Sequence, residues 1–158
     1  MRESIDVRVA DVMTEASISE SPTDTLRDAA ALMWREQTGS LVVLEQEALI
    51  GIITERDILR AIAEDLDIGT LTIGELMTGE VLTTTADVSL HDAARLMTLH
   101  WIRHLPVVDG DLVVGMLSQR DIMGVFAALQ RETGSIEIDS DVLVRARRLA
   151  RIGPGDLD

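Results

Sequence analysis

Met13-Thr14 recurs as Met77-Thr78, 64 residues later, and the same offset aligns most of the residues beyond them. Leu26, Asp28, Ala29, Ala30, Leu32 and Met33 match Leu90, Asp92, Ala93, Ala94, Leu96 and Met97, and Leu41 and Val43 match Leu105 and Val107. GIITERD at 51–57 returns as GMLSQRD at 115–121, so that Arg56-Asp57-Ile58 becomes Arg120-Asp121-Ile122. A register held without a gap from 13 to 61 is an internal duplication. It constrains the fold strongly: one copy alone would leave apolar surface in water, whereas two copies can cover each other.

Each copy spells the same order of elements. Thr25 to Gln37 carries apolar residues at helical spacing, after turn and cap chemistry at Ser21-Pro22-Thr23-Asp24. Ser40–Leu44 and Leu49–Ile53 are short runs rich in β-branched residues, joined by Glu45-Gln46-Glu47, the pattern of a hairpin. Ile58, Leu59, Ile62 and Ala63 give a second helix one apolar face. The second copy offers a helix at Leu90–His100, strands at Leu105–Val108 and Leu112–Leu117 around Asp109-Gly110, and a helix at Ile122–Leu129. Short strands are expected to open the copies at Ser17–Ser19 and Val81–Thr83. The fold class is α+β: two β-α-β-β-α repeats, at 8–66 and 72–130, related by a pseudo-twofold axis, then a tail at 131–158. In that tail Arg131–Ser135 reads as a break and Asp141–Arg151 as a short basic helix.

The formal charge of −14 opposes nucleic acid and anionic membrane alike, since both are bound by cationic surfaces. No apolar run approaches the roughly 20 residues of a bilayer span. Met1 to Asp11 has charges where a signal peptide would be apolar, so the chain is expected to be soluble and cytoplasmic. Without cysteine there is no disulfide and no thiol nucleophile. Every cationic side chain outside the three histidines is arginine, whose fork suits phosphate oxygens better than an ammonium does. His100 and His104 stand four apart, but a helix end falls between them, and no metal site is expected. No nucleophile and base pair up, so neither catalysis nor a cofactor is expected. Trp34 and Trp101 are expected to pack rather than to stack on a base.

Through the order and duplication of its VMT segments, its D-A-A helices, LPVVD at 105–109 and the paired G-h-h-[ST]-x-R-D endings, the chain resembles a tandem pair of CBS (cystathionine-β-synthase) domains, a Bateman module, over roughly residues 8–130. The resemblance implies a regulatory module that binds AMP, ADP, ATP or an S-adenosylmethionine derivative in clefts between the repeats. It implies a homodimer, output through an unknown effector protein or self-association, and no enzyme activity. The alternative is a ligand-free interaction scaffold with the same fold.

Thr54-x-x-Asp57 and Ser118-x-x-Asp121 admit two readings. Each can be a capping box, a hydroxyl at the helix start with a carboxylate at the third helical position. Each can also be a clamp, because a helix N-terminus attracts phosphate and a carboxylate one turn in can accept both ribose hydroxyls. The resemblance assigns Asp57 and Asp121 to ribose, and Thr54 and Ser118 to phosphate or ribose, with Arg56 and Arg120 within reach of phosphate. It adds Ser19 and Thr83 on the opening strands, and Ser40, Leu41, Arg103, His104 and Leu105 at the start of the second strands. Glu20 in the first copy and Val42 in place of Pro106 make the copies unequal, so one site is expected to bind more tightly.

Overall fold

In a computed structural model the protein is described over residues 7–15 and 18–133, with side chains as far as residue 128. After a 3-10 turn at Val9–Asp11 come strands β1 (Thr14–Glu15) and β2 (Ser19–Glu20), helix α1 (Leu26–Glu36), strands β3 (Ser40–Glu45) and β4 (Ala48–Thr54), and helix α2 (Glu55–Ala63). The second copy contributes α3 (Ile73–Leu76), α4 (Leu90–Leu99), β5 (His104–Asp109), β6 (Leu112–Ser118) and α5 (Gln119–Thr133).

Local chemistry explains where these elements start and stop. Thr25 caps α1: its hydroxyl accepts from the Asp28 amide, while Asp28 accepts from the Thr25 amide and hydroxyl. The helix stops at Gln37, which turns left-handed at φ 55°. Leu26, Ala29, Leu32 and Met33 form its buried stripe against the hairpin β3–β4. That hairpin turns at Gln46-Glu47, both at positive φ, a geometry that matches the strand twist. Both hairpins carry an irregularity at the same place, after Val43 and after Val107.

The leading segments are exchanged between the copies. β1 pairs with β6 of the other copy, Thr14 opposite Met116, while Thr78 bridges to Ile52 of β4. Val9 is buried in the second core with Leu90, Met97 and Leu117, and Ile73 in the first with Leu26, Leu41 and Ile53. Gly51 and Gly115 make this possible. A Cβ on Gly51 would meet Met77 Sδ, and one on Gly115 would stand 2.7 Å from the Thr14 carbonyl oxygen. The 3-10 turn and α3, the segments so exchanged, have no counterpart in the apolar pattern of the sequence, because each is only one turn long.

Four expectations are corrected. The opening strand of the first copy is β2, at Ser19–Glu20, running parallel to β3. In the second copy no strand forms at Val81–Thr83, and a single bridge joins Thr84 to Val107. Pro106 supplies the reason: its counterpart Val42 donates its amide to the Ile18 carbonyl, and proline has no amide to donate. Helix α5 does not end at Leu129 or break at Arg131 but continues to Thr133. The tryptophans do not pack inward: Trp34 is 81% exposed and Trp101 56%. Trp34 lies one position past the buried stripe, and Trp101 takes the left-handed conformation just after α4. The expected helix at 141–151 lies outside the described residues. Among those described, no helix is long and apolar enough to cross a membrane.

Candidate functional site

The exchange creates two clefts, each lined by both copies. The larger, of about 650 Å³, gathers Ser118, Arg120 and Asp121 from the second copy against Ile18, Trp34, Gly39 and Ser40 from the first. The smaller, of about 190 Å³, gathers Thr54, Arg56 and Asp57 against Leu82, Trp101 and Ile102. Arg103 and His104 border both. Small-molecule sites usually enclose about 300–1,000 Å³, a range the larger cleft meets and the smaller does not.

The two clefts also differ in residues at equivalent positions. Gly39 in the larger cleft is the counterpart of Arg103 in the smaller, and Gln37 is the counterpart of Trp101. The smaller cleft thus has Trp101 and Arg103 where the larger has an amide and a glycine, although Arg103 and the Trp34 indole also border the larger cleft.

At the mouth of each cleft a helix begins. The Thr54 amide and hydroxyl both donate to Asp57 Oδ2, at 2.9 and 2.8 Å. The Ser118 amide and hydroxyl donate to Asp121 Oδ2, at 2.7 and 2.6 Å, and the Asp121 amide returns a bond to Ser118 Oγ at 3.3 Å. Both carboxylates therefore cap their own helices. Each does so with one oxygen, and no hydrogen bond reaches Oδ1 of either among the described residues.

Ser40 is the second polar group of note. It is only 3% exposed at the edge of the larger cleft, and its hydroxyl is without a hydrogen-bond partner among the described residues. An unsatisfied buried hydroxyl costs about 1–3 kcal/mol, and a ligand acceptor or donor would relieve it. Its counterpart in the second copy, His104, is partly buried. Burial, and then the neighbouring Arg103 charge, hold this imidazole below its usual pKa against the weaker pull of Glu55 and Asp121. At neutral pH it is uncharged, with one nitrogen to donate and one to accept.

Of the remaining expected positions, Ser19 and Thr83 border neither cleft, although their neighbours Ile18 and Leu82 do. Leu41 and Leu105 are fully buried, one in each core. Sequence reasoning missed Glu55 and both tryptophans as cleft residues. Glu55 reaches across the copies to Arg103, whose Nη2 donates to Oε1 at 2.6 Å. A signal existed: Glu55 stands opposite Gln119 in the alignment of the copies, and Gly39 opposite Arg103. Two departures from the repeat with complementary charge invite pairing. Among the described residues no three His, Asp or Glu side chains converge as metal ligands would.

The comparisons with known proteins agree with this architecture. The CBS domain family matches the chain twice, at residues 9–64 and 73–128. The CBS domain-containing protein YhcV of Bacillus subtilis is 39% identical over 115 residues, which span 72% of this chain and 81% of YhcV. The CBS domain pair of MJ0100, solved in complex with 5′-methylthioadenosine and S-adenosyl-L-methionine, superimposes with a TM-score of 0.72 at 29% identity, covering 77% of this chain and 97% of that one. Hypoxic Response Protein I, solved with two coordinated zinc ions, gives a TM-score of 0.65 at 28% identity over 75% of this chain and 98% of its own.

Proposed function

The chain belongs to the CBS domain family, and we propose that it is a regulatory module whose larger cleft binds an adenosine-containing ligand. The observation that carries this reading is the division of labour at Asp121. One carboxylate oxygen is spent on the helix cap, and the other accepts nothing among the described residues at the border of an open cleft. A ribose offers two adjacent hydroxyl donors to such an oxygen. Ser118 and the start of α5 lie beside it for the 5′ substituent, with Arg120 adjacent in the chain and in the same lining. Ser40, with its unpartnered hydroxyl, and Trp34 are contributed to the lining by the other copy, and there we place the base. MJ0100, which binds two adenosine compounds at 29% identity, supports the ligand class. Asp57, Thr54 and Arg56 form the equivalent but tighter site, which would have to open to admit a nucleoside.

The module acts by binding rather than by catalysis, and we place it in the cytoplasm. Its output passes through an effector protein or through self-association, driven by different ligand affinities of two states. A homodimer has a surface available: Leu59 and Ile62 on α2 and their counterparts Met123 and Phe126 on α5 are all exposed.

Thermal unfolding with adenosine, 5′-methylthioadenosine, S-adenosylmethionine, AMP and ATP tests the reading. A ligand at about 100 times its Kd stabilises the folded state by roughly 2.7 kcal/mol, a shift that Asp121→Ala sharply reduces at the same ligand concentration. If none of the five moves the transition at millimolar concentration, the reading fails and a ligand-free interaction scaffold takes its place.

A further inference from the structure

Five charged side chains border the larger cleft: Glu36, Glu55 and Asp121 against Arg103 and Arg120. They are not equally available. Asp121 is tied to the start of its own helix. Arg103 is held by Glu55 at 2.6 Å, whereas Arg120 has neither an ion pair nor a hydrogen bond among the described residues. The cleft thus offers one uncommitted guanidinium. The second has already been neutralised by a carboxylate belonging to the other copy. This pair breaks the duplication, since the equivalent positions hold Gln119 and Gly39 and carry no charge.

We propose that the Glu55–Arg103 pair limits the negative charge that a ligand of the larger cleft can carry, so that the site takes adenosine compounds with at most one phosphate and turns polyphosphates away. The inference rests on the adenosine reading above and adds a selectivity to it. A single phosphate can be matched by Arg120 and the first amides of α5. A second or third phosphate needs another cation, and the nearest, Arg103, must first be taken from Glu55. Displacing Glu55 does not carry it far, because its backbone is fixed as the first residue of α2 at the border of the cleft. The freed carboxylate then faces the phosphates well inside a Debye length, where repulsion is little screened. The net charge of the whole chain acts in the same direction. Both side chains of the pair are about half exposed, so the pair holds the fold together only weakly and can be altered without unfolding it.

The test is calorimetry with adenosine, AMP and ATP in low salt with chelator, on the wild type, Glu55→Gln, Arg103→Gln and the double variant. In the wild type AMP binds at least tenfold more tightly than ATP. Glu55→Gln improves ATP affinity at least tenfold more than it changes adenosine affinity, and most of that gain is absent when Arg103→Gln is also present. ATP binding the wild type as tightly as AMP overturns the proposal and leaves the adenosine reading standing. So does a Glu55→Gln gain that survives in full without Arg103, because the carboxylate would then act without holding the guanidinium. Failure of all three compounds to bind removes the adenosine reading, and the selectivity falls with it.

Discussion

Ser118 gives both its amide and its hydroxyl to the same oxygen of Asp121, Oδ2, at 2.7 and 2.6 Å. Thr54 and Asp57 repeat the arrangement in the other copy. Cap and clamp are therefore compatible uses of one carboxylate. Loss of either cap by Asp57→Ala or Asp121→Ala should cost about 0.5–2 kcal/mol without any ligand. The two losses should add in denaturant unfolding, since they stand on separate helices. Ligand stabilisation should respond far more to Asp121→Ala, because the larger cleft lies on that side.

A ribose contact makes a sharper demand. Replacing adenosine by 2′-deoxyadenosine removes one donor to a charged acceptor, worth about 1.5–3 kcal/mol, or roughly tenfold to a hundredfold in Kd. Calorimetry on the wild type and on Asp121→Ala separates the contribution: the 2′ effect should vanish in the variant. Equal affinities for the two nucleosides in the wild type would take the sugar away from Asp121.

The exchanged leading segments can be probed at two glycines. A methyl group on Gly115 meets the Thr14 carbonyl oxygen at 2.7 Å, and that oxygen belongs to the backbone of β1. A methyl on Gly51 meets chiefly the Met77 thioether, which can swing aside. Gly115→Ala should accordingly destabilise by about 1–3 kcal/mol and Gly51→Ala by less, as read from denaturant midpoints. The reverse order would mean that β1 yields more easily than the methionine.

His104 should give the stability a pH dependence. Its folded pKa lies below the ordinary 6.5, first through burial and then through the Arg103 charge, so the unfolded chain binds the proton more readily. Stability then rises with pH across the interval from the folded pKa up to 6.5 and is level above it for this group. His104→Gln should flatten the urea midpoint over that interval.

Glu20 acts with the opposite sign. Burial, a hydrogen bond to Asp24 and the charges of Asp24 and Asp28 raise its folded pKa above 4.5, and Arg35 opposes them. The folded state holds that proton more tightly, so the contribution of Glu20 is present below 4.5 and is lost as pH rises through the folded pKa. Glu20→Gln should stabilise the protein at pH 7 relative to the wild type. The advantage should disappear at about pH 4, where the wild-type carboxyl is protonated too.

The sequence by itself determined the elements and their duplication. Apolar spacing from Leu26 to Met33 marks a helix with one buried face, and the β-branched runs flanking Glu45-Gln46-Glu47 mark a hairpin. Both signals are local, and the 64-residue offset supplies each of them twice. The caps at Thr54 and Ser118 were legible for the same reason, being made by residues three apart.

Only the tertiary structure decided which copy each piece serves. Two-residue strands such as β1 have no period to read, and the exchange that sets Thr14 on Met116 involves a contact across about a hundred residues of chain. The composition of both clefts, the larger opening beside Gly39 and the pairing of Glu55 with Arg103 all come from that exchange. Even the missing strand at Val81–Thr83 depends on a proline in a neighbouring strand. A residue pattern fixes what a segment prefers alone, whereas a cleft is made by segments that meet only after the chain has closed on itself.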